Sequence, residues 1–161
     1  MNWVNLGVRL GVAAFAAALA IQPAVAEPAN ATHGVRIAAI RMQLVYDAGG
    51  LSRDITPPSH FALWNTGAGE GDATGPAQEA LVSVVLAGQG MERLQHAPLR
   101  ITVRSHGRVL ASHTYNDVFM TGPRVVKTVL VRGIACAGHV TVEATLGAQR
   151  RTTAVDFACG E

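Results

Sequence analysis

From residue 30 onward the chain sustains no 3.6-residue apolar period over three turns; it alternates instead. Alternation with period two marks a strand with one buried face. The clearest stretch sets Val140, Val142, Ala144 and Leu146 against Thr141, Glu143 and Thr145. Thr153, Val155 and Phe157 alternate with Ala154 and Asp156, and Leu99, Ile101 and Val103 with Arg100, Thr102 and Arg104. Val126, Thr128 and Leu130 alternate with Lys127, which makes them the inward row. Ile40, Met42, Leu44 and Tyr46 alternate with Arg41 and Gln43, whereas Val35 and Ile37 sit in the opposite phase. A one-residue change of parity needs a bulge or kink, here at Ala38–Ala39. Leu81 to Leu86 is apolar on both parities, as in a strand covered on both faces, and Phe61 to Asn65 is a short further candidate.

Seven or eight short strands separated by turn residues predict an all-β domain. The reading is an immunoglobulin-like antiparallel β-sandwich, with a small closed β-barrel as the alternative. Residues 47–59, 66–78 and 88–98 are the connecting stretches, rich in Gly and Pro at their bounds or throughout. Met91-Glu92-Arg93-Leu94 reads as a single helical turn inside the last of them.

Two turns fix registers. Gly147-Ala148 suits a type II′ hairpin, whose first central residue needs φ > 0. Residues whose numbers sum to 295 then face each other: Val142 with Thr153, Val140 with Val155, Cys136 with Cys159. The two faces derived from alternation coincide in this register, so the two cysteines are expected to form a disulfide. The same arithmetic around His106-Gly107 sets Val103 against Leu110, Ile101 against Ser112, and His113 against Arg100.

Composition adds location. The chain has 161 residues, of which 49% are hydrophobic and 15% charged, too apolar for a disordered protein. Arg9, the apolar run Leu10–Ile21, Pro23 and Ala24-Val25-Ala26 form the pattern of a cleaved signal peptide over residues 1–26. The run is shorter than the ~20 residues that span a bilayer, so no stable membrane span is expected after its removal. Residues 27–161 are then one domain, bound for a bacterial periplasm or beyond; the Arg-, Ala- and Gly-rich composition points to a GC-rich genome. A net charge of +2, with no concentrated basic run, argues against nucleic-acid binding.

Catalytic chemistry finds little footing. Gly67-Ala68-Gly69-Glu70-Gly71-Asp72 lacks the glycine spacing and the Lys-Ser/Thr pair of a phosphate loop, and its carboxylates repel phosphate. Glu70 and Asp72, with Asp47 or Asp54, offer oxygens to Ca²⁺ but without regular ligand spacing. There is no Gly-x-Ser-x-Gly elbow and no His-Glu-x-x-His. No cofactor and no enzymatic activity are expected. Arg100 and Arg104 share an outward face, with Arg108 beside them in the register above. They read as a solvated sheet face that discourages strand addition, or as a patch for an anionic partner. Trp64 reads as a core residue, with anchorage of the Gly-rich loop as the alternative and Asn65 turning the chain.

Leu63-Trp64-Asn65-Thr66, Gly69-Glu70-Gly71-Asp72-Ala73 and the ending Phe157-Ala158-Cys159-Gly160-Glu161 resemble stretches of small secreted bacterial β-proteins to which no activity is attached. The resemblance implies a compact secreted β-domain and carries no catalytic residue. The expected role is a non-enzymatic module binding a protein partner through the loops 47–59 and 66–78, with Trp64, Glu70 and Asp72 as contact residues. The alternative is a periplasmic copper protein using the thioether of Met91 and the imidazole of His96.

Overall fold

The computed structural model describes residues 34–160; the proposed signal segment lies outside them. Among the described residues nine strands form: β1 (Arg36–Val45), β2 (Glu79–Ala87), β3 (Glu92–Leu94), β4 (Leu99–Ser105), β5 (Arg108–Tyr115), β6 (Val118–Met120), β7 (Arg124–Arg132), β8 (Gly138–Leu146) and β9 (Gln149–Phe157). One sheet has the order β1-β2-β7, a second the order β5-β4-β8-β9, and β3 pairs with β6 as a short flap. All pairings among the named strands are antiparallel. The separate sheets make a β-sandwich and not a closed barrel.

The core is the inner face of each sheet. Met42 and Leu44 of β1 and Val82, Val84 and Leu86 of β2 are fully buried with Leu99, Ile101 and Val103 of β4 and Val140, Val142 and Leu146 of β8. β1 shifts register between Ile37 and Ala39, so the two apolar phases of this strand both reach the core. β8 and β9 pair as Val142↔Thr153, Val140↔Val155 and Gly138↔Phe157, the register of a turn at Gly147-Ala148, and Gly147 takes a φ of 55°. Cys136 and Cys159 form a disulfide two positions beyond that ladder, with their Cα atoms 5.0 Å apart.

Three expectations are corrected. In β7 the inward row is Val125, Lys127, Val129 and Val131, opposite the fully buried Leu86, Val84, Val82 and Ala80. Val126 and Leu130 face outward, 52% and 41% exposed. β7 is an edge strand, so an inward lysine reaches the opening between the sheets, where the Lys127 ammonium lies 5.2 Å from the centroid of the Tyr115 ring. β2 is buried on both parities as expected: Ser83 and Val85 of its outer row are buried and Leu81 is half-buried. In the β4–β5 hairpin the predicted register holds for Ser105↔Arg108 and Arg104↔Val109 and then slips at a bulge, giving Val103↔Ala111 and Ile101↔His113. Lastly, Glu92–Leu94 is extended, because Leu94 buries against the core while Arg93 and Asp117 pair outside it.

Both sides of the sandwich are closed by side chains. On one, Gln149 accepts from the Ile37 N–H (3.1 Å) and donates to the Val35 carbonyl (2.7 Å), taking a strand's place beside the bulge of β1. On the other, the Tyr115 hydroxyl of β5 donates to the Thr128 carbonyl of β7. The free edge of β1 is covered by residues 52–55: Ser52 N–H donates to Leu44 O (3.0 Å) and Ile55 N–H to Met42 O (2.8 Å). An edge filled in this way cannot template another chain.

The flap closes the end of the core remote from the long loops, placing Leu94, Val118 and Met120 inside. It is held by a bidentate pair, Arg93 Nε to Asp117 Oδ1 (3.0 Å) and Nη2 to Oδ2 (2.6 Å). The Arg93 guanidinium pulls the Asp117 carboxyl below its usual range. A depressed folded-state value contributes above the unfolded value, ~3.9 for aspartate, and is lost as pH falls through the lower one. Amide protection in β3 and β6, relative to the intrinsic rate at each pH, is therefore expected to fall in acid, and Asp117→Asn to show the lower protection already at neutral pH. Equal exchange in variant and wild type at neutral pH would show that the pair does not hold the flap.

Candidate functional site at the loop end

The connections that follow β1, β4, β7 and β9 gather at one end of the sandwich, and the longest, residues 46–78, shapes it. Its backbone is fixed from within. Asp54 Oδ1 accepts from Met42 N–H (3.2 Å), Thr56 N–H (3.1 Å) and the Thr56 hydroxyl (2.8 Å). Ser52 Oγ accepts from Leu44 N–H at 2.9 Å. Asp72 Oδ2 accepts from Ala62 N–H at 3.0 Å, and Gly71 packs so closely on Ala62 that an added Cβ would meet its carbonyl oxygen at 2.3 Å. Side-chain acceptors replace a regular ladder here, which is how an irregular loop satisfies its backbone donors.

Arg53 stands out from this frame. Its guanidinium carbon lies 5.3 Å from the Phe61 ring centroid and its Nη2 3.5 Å from Asp72 Oδ2. It separates two shallow depressions. One, about 460 Å³, is lined by Tyr46, Leu51, Ser52, Phe61, Asp72 and Thr74 as well as Arg53. The other, about 490 Å³, runs from Arg53 and Asp54 over Thr56, Pro57 and Pro58 to His60.

The sequence-predicted contact residues divide. Asp72 lines the first depression, but Trp64 and Glu70 lie elsewhere on the loop. Trp64 is not a core residue: it is 47% exposed, because it belongs to a single parallel bridge with Ala158 and its ring lies along Gly160. Asn65 N–H donates to Ala158 O (2.8 Å) and Ala158 N–H to Leu63 O (2.9 Å), so this part of the loop is zipped to the segment that carries Cys159. Asn65 turns the chain in the left-handed region (φ 44°), and its amide donates to Glu70 Oε2 at 3.0 Å. Arg53, Phe61 and Tyr46 were missed as site residues; the alternation that marks strands says nothing about side chains meeting across a loop.

The copper alternative rests on residues at opposite ends of β3. Met91 is 81% exposed before the strand, and His96 is exposed after it with φ 65°. Met120, the thioether nearest His113 in sequence, is fully buried. Among the described residues no three His, Cys, Asp or Glu side chains converge on a metal position, and Asp54 and Asp72 direct oxygens to backbone N–H groups. The sequence matches no protein-family model, and no curated protein is significantly similar to it.

Proposed function

We propose that the chain is an exported, non-enzymatic β-sandwich that binds a protein partner through its loop end. Export is supported by the signal pattern of residues 1–26 and by the Cys136–Cys159 disulfide, since such bonds persist in oxidising compartments. Among the described residues no helix is long and apolar enough to cross a membrane. The observation that carries the binding reading is Arg53 stacked on Phe61 between two depressions, on a loop whose backbone is held by Asp54, Ser52 and Asp72. Arginine and aromatic side chains are the commonest anchors of protein interfaces. A loop that is already ordered loses less entropy on binding. The carboxylates nearest the depressions hold the loop, which favours recognition over proton transfer.

The test is crosslinked co-purification from the periplasm, comparing wild type with Arg53→Ala and with Arg124→Ala at the other end of the sandwich. A partner captured by wild type and Arg124→Ala, and reduced about tenfold by Arg53→Ala, is expected. Equal capture by all three would place the contact surface away from the loop end.

A further inference from the structure

We propose that the outer face of the four-stranded sheet carries a second site, which binds a phosphate group between Arg104, His106 and His139. These residues border a depression of about 500 Å³, together with Thr141, Glu143 and Arg150. Arg104 of β4 faces Thr141 of β8, and His139 lies two residues along β8 on the same side. The two carboxylates of this face are already paired. Arg150 Nη2 donates to Glu143 Oε2, and Asp156 Oδ1 lies 2.6 Å from His139 Nδ1. That contact fixes the His139 ring and leaves Nε2 for another partner; an oxyanion there and Asp156 would together take both N–H groups of an imidazolium.

Arg41, Arg53, Arg93, Arg132 and Arg150 each have a carboxylate partner, whereas Arg104, like Arg36, Arg100, Arg108 and Arg124, has no hydrogen bond or ion pair among the described residues; of these five it is Arg104 that borders the depression. His106 supplies an independent observation. It and Gly107 both have positive φ, 46° and 77°, the two-residue turn that normally takes Asn-Gly or Gly-Gly. Histidine is among the non-glycine residues that enter this left-handed region most readily, so the turn can hold the ring in place at small cost. Its ring is seated on Gly138, where an added Cβ would lie 2.6 Å from Nε2. A seated imidazole and an unpaired guanidinium thus border the same depression as the His139 ring. A phosphate matches it, because one tetrahedral anion accepts from several charged donors at once. Arg108 takes no part: it faces the other side of the turn, opposite Ser105.

The phosphate can belong to a soluble molecule or to a lipid headgroup. Isotope-labelled protein is titrated with pyrophosphate while the ring signals of His106 and His139 are followed by NMR. In parallel it is sedimented with phosphatidylglycerol and with phosphatidylcholine vesicles. Saturable shifts of both rings are expected, weakened about tenfold or more by Arg104→Gln and unchanged by Arg100→Gln, which removes a charge from the same face outside the depression. Co-sedimentation with the anionic vesicles alone, lost in Arg104→Gln, assigns the lipid source; shifts without sedimentation assign the soluble one. Neither shifts nor sedimentation, or equal weakening by Arg104→Gln and Arg100→Gln, overturns the site. Both positions are exposed, so the amide spectrum serves as the check that each variant keeps its fold.

Discussion

Replacing Cys136 and Cys159 together by serine is expected to lower stability by about 3 kcal/mol. The two residues are 23 apart in sequence, and opening that loop returns chain entropy to the unfolded state. The native side adds to the effect. Cys159 follows Ala158, which pairs with Trp64, so the bond also holds the long loop against the end of the sandwich. On a domain of this size the melting temperature should fall by about 10 °C. Denaturant titration of variant and wild type measures the difference directly. The slope should rise a little, since an uncrosslinked unfolded chain exposes more surface. A change below about 0.5 kcal/mol would mean that the hairpin and the Trp64 bridge hold this end without the covalent tie.

The second large effect separates two leucines on neighbouring strands. Leu86 of β2 is fully buried between the sheets, and Leu86→Ala is expected to cost about 2–5 kcal/mol through lost burial and the cavity left behind. Leu130 of β7 is 41% exposed on the outer face, and Leu130→Ala should stay within about 1 kcal/mol. Equilibrium unfolding of both variants decides the matter. Comparable losses would mean that β7 turns its other face to the core, as alternation alone implies.

That contrast shows where the sequence could be read. Strands with an uninterrupted apolar row, such as Val140 to Leu146, were legible because burial alone sets the row. The β8–β9 register was legible because two constraints, Gly147 and the cysteines, agreed. β7 was misread because Lys127 occupies an inward position that only an edge strand tolerates, and a pattern does not reveal which strands are edges. The β4–β5 register failed after two pairs for a related reason: a bulge on an exposed edge leaves no mark in hydrophobicity. Trp64 was placed in the core on size, yet its neighbours are backbone atoms of Gly160 and Ala158, far away in sequence. The loop end was legible as a location, since residues 47–59 and 66–78 border it. Its composition was not, because Arg53, Phe61 and Asp72 meet only once the loop has folded.

The closure at Gln149 has a mechanical consequence. Along this seam the two sheets are sewn by side-chain amide bonds to the Val35–Ile37 backbone, without a shared ladder. Opening the seam therefore unzips no strand. Breathing of the sandwich that lets water touch the core can begin there, while each sheet stays intact as a unit.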